Sequence, residues 1–220
     1  MKIVKTHDGS NTLIHESINE HYHSIHGAEQ EGRHVFIQNG LALVKNKSEI
    51  KVFEMGFGTG LNALLAYEFA TKNQTNLTYY SIEAYPLSVD EASQLRYDEL
   101  IEDESIFKKL HALAWNKSET ISSNFTLHKM EGFIEKTSLD FIEPIDVIFY
   151  DAFAPSAQAF LWESEILQKM YAILAPEGLL STYCAKGQFK RNLKEIGFEV
   201  SAVPGPPGKR EMTIAYKRQS

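Results

Sequence analysis

From Ile50 onward, short runs rich in β-branched and aromatic residues alternate with segments whose apolar positions recur at helical spacing. That alternation predicts βαβ units around a parallel sheet. Strands are predicted over Lys51–Glu54, Leu77–Glu83, Phe125–Met130, Ile145–Asp151, Gly178–Tyr183, Phe198–Val203 and Met212–Lys217, and helices over Leu61–Thr71, Ser88–Leu100, Glu104–Ala114, Glu131–Leu139, Trp162–Leu174 and Gln188–Ile196. With Leu161, the residues Ile166, Leu167, Met170, Tyr171 and Leu174 form one stripe, and this helix stops where "APEGLL" brings in Pro and Gly. Only the turn-rich "PGPPGKRE" separates the last two strands. It is too short for a crossover helix, so Met212–Lys217 is expected to run antiparallel beside its predecessor.

Residues 1–49 have a different pattern. Asp8-Gly9 and Asn39-Gly40 each lie between alternating runs, which predicts two β-hairpins, with the polar, His-rich "INEHYHSIHGAEQEGR" between them. The expectation is a small β-rich appendage over 1–49, acting as a lid and packed against a main domain over 50–220.

Composition narrows the class. A chain of 220 residues with 43% hydrophobic content can bury a core of its own, and the single cysteine, Cys184, rules out an internal disulfide framework. Cys184 is expected to be a buried strand-end residue, because no base is paired with it in sequence. There is no apolar run long enough to span a bilayer and no signal-peptide pattern at Met1-Lys2-Ile3-Val4, so no membrane partner and a cytoplasmic location are expected. The net charge of −7 argues against holding nucleic acid by overall charge but leaves room for a local patch. Lys186, Lys190, Arg191, Lys209 and Arg210 are expected to form one basic rim. His15, His21, His23, His26 and His34 crowd the N-terminal segment without H-x-x-x-H spacing or a cysteine partner, so no metal site is expected.

The candidate chemistry centres on "VFEMGFGTGLNALLAYEF". Gly56, Gly58 and Gly60 follow a strand and open a helix, which lets the backbone turn sharply and lets a ligand approach the main chain. The spacing departs from the G-x-G-x-x-G dinucleotide fingerprint, and Leu61-Asn62 stand where a phosphate loop needs Lys-Ser or Lys-Thr. Glu54 would repel a pyrophosphate but suits the amino group of an amino-acid moiety. Glu83 ends the next strand about twenty residues beyond the loop, where an acid binds ribose hydroxyls in NAD and S-adenosylmethionine alike. Glu131 ends a third strand, within reach of an exocyclic adenine amine. Each acid alone reads equally as a helix cap. Three at successive strand ends with a Gly-x-Gly-x-Gly loop indicate S-adenosylmethionine. The expected cofactor contacts are Glu54, Gly56, Phe57, Gly58, Thr59 and Gly60 from the loop and its flank. Asn62, Glu83, Ala84, Glu131, Gly132 and Asp151 complete the set.

Asp151 ends the fourth strand of the doubly wound order, so it points at the reacting end of whatever the glycine loop holds. As a helix cap it would be far from the helix it serves. A carboxylate there suits an amine acceptor, whose proton it can take or whose charge it can anchor. Phe153 can stack on a flat ring, Pro155 stiffens the turn, and Tyr22 and Arg33 are candidates for a lid.

Taken in order, "EMGFGTGLNAL", "IEAYPLS", "YDAFAP", "GFEV" and "PGPPGKREM", with "HYHS" and "EGRHVFI" near the start, resemble the methyltransferase domain of the bifunctional tRNA 5-methylaminomethyl-2-thiouridine biosynthesis family, in its stand-alone form. The resemblance implies a Rossmann-like class I S-adenosylmethionine-dependent methyltransferase, with a mostly parallel seven-stranded sheet and an antiparallel last strand. It implies methylation of the aminomethyl group on the wobble uridine of tRNA. Gly56, Gly58 and Gly60 would cradle the cofactor, Glu83 would hold its ribose and Glu131 its adenine. Asp151 would face the acceptor amine, and Lys209 and Arg210 would help shape the site. Family members carry an oxidase domain after this one, so a separate enzyme is expected to supply the aminomethyl intermediate. Two other functions fit the same motifs: aminopropyl transfer of the polyamine-synthase type, and a non-catalytic cofactor- or RNA-binding module.

Overall fold

A computed structural model describes residues 2–15 and 20–218. Residues 16–19, where the first predicted hairpin runs into the His-rich stretch, lie outside the described residues, as do 1, 219 and 220. The strands are β1 Lys2–Lys5, β2 Asn11–His15, β3 Glu20–His21, β4 Glu49–Met55, β5 Asn76–Glu83, β6 Lys117–Ser122, β7 Phe125–Glu131, β8 Ile145–Tyr150, β9 Leu174–Thr182, β10 Glu199–Pro204 and β11 Glu211–Tyr216. The α-helices are α1 Ala28–Gly32, α2 Leu61–Asn73, α3 Val89–Ser93, α4 Ser105–Ala112, α5 Ser164–Ile173 and α6 Gly187–Ile196.

The main sheet has eight strands in the order β10-β11-β9-β8-β4-β5-β7-β6. Strands β4, β5, β7, β8 and β9 pair in parallel. β11 runs antiparallel to both β9 and β10, as the short "PGPPGKRE" connection requires. The eighth strand is β6, antiparallel to β7 at the edge. Its sequence, KSETIS, buries only Ile121, so no apolar run announces it.

Alternation along the central strands feeds two cores. Val52, Tyr79, Leu127 and Phe149 pack on one face with Leu64 and Leu65 of α2, Phe107 and Leu110 of α4, and Val35 and Phe36. Phe53, Ile82, Met130 and Ile148 pack on the other with Ile166, Leu167 and Met170 of α5, and Phe189 and Leu193 of α6. Helices thus cover both faces of β8, all of whose residues are buried. The chain leaves β4 through α2 to β5 on one side and returns through β8 on the other. A crevice therefore opens at the carboxyl ends of β4 and β8.

At the N-terminus β1, β2 and β3 form a separate antiparallel sheet. Its first turn is the predicted one: Asp8 Oδ1 accepts from Ser10 N at 3.0 Å, and Gly9 has φ +90°. The second predicted hairpin is not formed. Residues Arg33–Gln38 are a π-helix and Leu41–Val44 a 3-10 turn. A two-residue Asn-Gly hairpin of type I′ needs positive φ at both residues, whereas Asn39 has φ −99° and Gly40 φ −132°. Asn39 instead ends the helix, its Nδ2 donating to His34 O at 2.8 Å. Gly40 packs so tightly that a Cβ would stand 2.2 Å from Phe36 O.

Two predicted helices also change. Ser88–Leu100 divides into α3, which carries a Ser88/Glu91 capping box, and a 3-10 turn at Tyr97–Leu100, with Arg96 at φ +57° between them. Glu131–Leu139 is not helical: Glu131 still belongs to β7, and Thr137 Oγ1 bonds back to Phe133 O at 2.9 Å, so local side-chain bonding favours turns.

Gly60, at φ +75°, starts α2 where a Cβ would lie 2.7 Å from His111 Nε2. Gly60→Ala is expected to destabilise the fold by about 2 kcal/mol through left-handed backbone strain and this clash. Urea denaturation measures it, and an Ala variant as stable as the parent would refute the packing described.

Candidate active site

The glycine loop is stitched to β5 before it turns: Gly56 N and Phe57 N both donate to Ile82 O, at 3.0 and 3.2 Å. Gly56 and Gly58 have φ +91° and +49°, so the loop exposes backbone where side chains would otherwise stand. Glu83, at the end of β5, accepts from Gly58 N with Oε2 and from Tyr85 N with Oε1, each at 2.8 Å. One carboxylate thereby fixes the loop on one side and the start of the next segment on the other, and its remaining lone pairs face a cavity of about 730 Å³. That size falls within the range of small-molecule sites.

On the opposite side of β4 from Glu83, beside the glycine loop, is Asp151 at the end of β8. Asn62 Nδ2, from the first turn of α2, donates to Asp151 Oδ2 at 2.8 Å. Burial raises the Asp151 carboxyl to about 7, and Glu31 adds to the rise, against the Asn62 hydrogen bond and Lys209. Lys209 Nζ lies 2.6 Å from Glu31 Oε1 and 3.8 Å from the centre of the Tyr183 ring. Tyr183 in turn donates its hydroxyl to Ala152 O at 2.8 Å. The wall after Asp151 is held from behind: Trp162 Nε1 donates to Phe153 O at 2.9 Å, and Tyr150 donates its hydroxyl to Leu161 O.

The segment after β3 closes the side nearest the glycine loop. Tyr22 meets Phe153 edge-on with ring centres 5.1 Å apart, and lies where a Cβ on Gly58 would come 3.1 Å from its Cδ1. His23 Nε2 is 2.7 Å from Thr59 Oγ1, and burial holds this imidazole down to about 4, so it is neutral at physiological pH.

Of the residues expected from sequence, Gly56, Phe57, Gly58, Thr59, Asn62, Glu83, Ala84, Gly132, Asp151, Tyr22, Phe153 and Lys209 line this cavity. Glu54, Gly60, Glu131, Arg33, Pro155 and Arg210 do not. Glu54 is fully buried beneath the loop, where it accepts from Ser81 Oγ at 2.7 Å. Gly60 is turned into α2. Glu131 is exposed, and its neighbours Gly132, Phe133 and Ile134 line the wall instead. Arg33 is paired with Glu29 at 2.7 Å and Glu68 at 2.6 Å, away from the cavity lining. Pro155 and Arg210 stand outside the lining. Sequence reasoning missed Glu31, Tyr183 and the role of His23. Tyr183 was detectable as the residue just past the carboxyl end of the strand beside β8. Glu31 had no local signal.

A family model described as S-adenosyl-L-methionine-dependent methyltransferase matches residues 90–218. The chain belongs to this methyltransferase family. Relatives include the tRNA 5-methylaminomethyl-2-thiouridine biosynthesis bifunctional protein MnmC of Cupriavidus necator, 30% identical over 212 residues, covering 90% of this chain and 32% of the relative. The protein of the same name from Paraburkholderia xenovorans is 32% identical over 209 residues, covering 88% of this chain and 31% of the relative. The methyltransferase thus spans about a third of the length of these curated relatives. MNMC2 from Aquifex aeolicus shares the fold, with a TM-score of 0.81 at 23% identity, covering 100% of this chain and 71% of that one.

S-adenosylmethionine is therefore the cofactor, and the residues present suit it. The side-chain-free backbone of Gly56 lines the cavity, Gly58 is covered by Tyr22, and the Glu83 carboxylate on the same wall would suit a ribose diol. Glu83→Gln would turn an amide N–H₂ toward one of two backbone donors. The methyltransferase carrying it is expected to bind S-adenosylmethionine about tenfold more weakly or worse by isothermal titration calorimetry, and unchanged affinity would remove Glu83 from the cofactor site.

Proposed function

We propose that this methyltransferase N-methylates the aminomethyl group of the modified wobble uridine in tRNA, the final step to 5-methylaminomethyl-2-thiouridine. The observation that carries the reading is Asp151, a carboxyl at the strand end beside the glycine loop, open to the cavity and poised near neutrality by burial. The names of the relatives supply the acceptor.

S-adenosylmethionine supplies an electrophilic methyl group on a sulfonium. Asp151 in its ionised form receives the acceptor ammonium by a charge-assisted hydrogen bond and takes one proton from it. The freed nitrogen lone pair would then form the N–CH₃ bond, with the S–CH₃ bonding pair leaving on sulfur. Asn62 keeps the carboxylate aligned, and Tyr22 with Phe153 excludes water from the path. Tyr22 and Phe153 also offer ring faces and edges for a flipped pyrimidine.

Of the five cations expected in one basic rim, Lys190 is paired with Glu211 at 2.7 Å and Lys209 with Glu31 at 2.6 Å. In this reading a backbone-phosphate contact competes with these ion pairs and with a net charge of −7. In this reading residues 1–49 act as the lid over a catalytic domain formed by 50–220. The enzyme works in the cytoplasm on tRNA that a separate enzyme has brought to the aminomethyl stage. No described helix is long and apolar enough to cross a membrane.

Incubation with cofactor and tRNA bearing aminomethyluridine is expected to add one methyl to the wobble nucleoside, read by nucleoside mass spectrometry. No methylated nucleoside would refute the proposal.

The proton step fixes a pH dependence. The Asp151 carboxyl is raised to about 7, so the active ionised form is lost as pH falls through that value. The rate should show an acid limb near it, and Asp151→Asn should abolish turnover while cofactor still binds. Lys209→Gln removes a cation that favours the ionised form, so the limb should move to higher pH. A limb that stays or moves down would place the titration elsewhere.

A further inference from the structure

Behind Asp151 lies a set of buried polar atoms that the proposed mechanism does not use. Asn62 directs its Nδ2 at Asp151, so its Oδ1 turns inward, where it has no hydrogen-bond partner. Glu54 Oε1 and Tyr79 Oη are likewise buried without partners. These atoms belong to neighbouring side chains: the Glu54 carboxyl faces Asn62 and Tyr79, and its other oxygen accepts from Ser81 Oγ at 2.7 Å. Leaving three such atoms unpaired would cost roughly 1–3 kcal/mol each, so a native core pairs them.

We propose that Glu54 is a positioning residue: from inside the sheet its carboxyl group fixes the Asn62 amide, and Asn62 in turn holds Asp151 toward the cavity. One proton resolves the set. A neutral Glu54 carboxyl donates from Oε1 to Asn62 Oδ1, and the Tyr79 hydroxyl donates to Glu54. Asn62 is then held at both ends, and its N–H₂ must point at Asp151. An ionised Glu54 would put a second anion behind Asp151 with no cation beside it among the described residues: Ser81 and Tyr79 from β5, Asn62 from α2 and Asp151 from the end of β8 are the groups that face it. Burial pushes the Glu54 carboxyl well above its usual range, in agreement. The acid before the glycine loop is thus not a charged partner for the cofactor's amino group. It is a neutral brace for the residue across the crevice.

The inference takes Asp151 as the proton acceptor of the proposed reaction, and its test reads a property that needs no acceptor substrate. In the full chain labelled with ¹³C at Glu and Asp carboxyls, the Glu54 resonance is expected to stay at the protonated-carboxyl position after the exposed carboxylates have ionised. Asp151, assigned through Asp151→Asn, is expected to titrate near 7. Glu54→Leu frees Asn62, and the Asp151 midpoint should rise by about one unit as its donor is lost. Glu54→Gln keeps a neutral donor toward Asn62, so it should restore the Asp151 midpoint, with S-adenosylmethionine affinity within about threefold of the parent. Turnover should follow the same order, with an approximately tenfold fall in Glu54→Leu rescued by Glu54→Gln.

A Glu54 resonance that titrates below about pH 5 would overturn the proposal, as would an approximately tenfold loss of cofactor affinity in Glu54→Gln, which would make Glu54 an anionic ligand of the cofactor. An Asp151 midpoint unmoved in Glu54→Leu would also overturn it. If Glu54→Leu does not fold, the parent titration and Glu54→Gln decide. Failure of the tRNA assay alone would sink the acceptor assignment and leave these carboxyl titrations standing.

Discussion

The hydrogen bond from Asn62 to Asp151 joins the two halves of the crevice. Asn62 sits in the first turn of the helix that the glycine loop launches, and Asp151 follows the strand on the opposite side of β4. Loop geometry and carboxylate position are therefore not independent. A shift of α2 that opened the loop would also move the one side-chain donor that Asp151 has in the structure's described contacts. The helix can serve both tasks because β4 and β8 lie side by side, a placement set by the reversal of strand order at β4.

Burial gives that bond its chemical meaning. A carboxyl in water would be ionised at neutral pH and indifferent to its neighbours, whereas Asp151 near 7 responds to every charge around it. Glu31 and Lys209 form their own ion pair within that environment and act on Asp151 in opposite directions. The lining of the pocket is acidic, with Glu20, Glu31, Glu83, Glu135 and Asp151 against Lys209, so a change in that cation or in a neighbouring acid alters the protonation of the reacting group.

Much of this was readable from the chain. The buried strands β4, β5, β7 and β8 carry continuous or alternating apolar runs, and the strand-end rule points to Glu83 and Asp151, both of which line the cavity. The failures have physical causes. β6 is polar because it lies at a sheet edge and buries one side chain. Asn39-Gly40 resembles a hairpin turn, yet the apolar residues before it pack as a helix against Phe149, with Phe36 and Phe149 ring centres 5.0 Å apart. Residues 131–139 have helical spacing, but Gly132 and the Thr137 back-bond favour turns. Glu54 adjoins the loop, which in sequence makes it a candidate ligand of the cofactor. Strand alternation instead turns it toward Tyr79 and Asn62, and nothing in local sequence distinguishes an acid beside a cavity from one beneath it. Glu31 and His23 reach the site by long-range packing, which periodicity does not encode.

The ion pair between Lys209 and Glu31 links residues 178 positions apart. Glu31 belongs to the segment made early in synthesis and Lys209 to the final hairpin, so the charge balance around Asp151 is established only when nearly the whole described chain has emerged and folded. The strand that follows Lys209 also brings Met212, Ile214 and Ala215 into the core, so the cation that counters Glu31 at Asp151 is delivered by the same segment that completes the sheet.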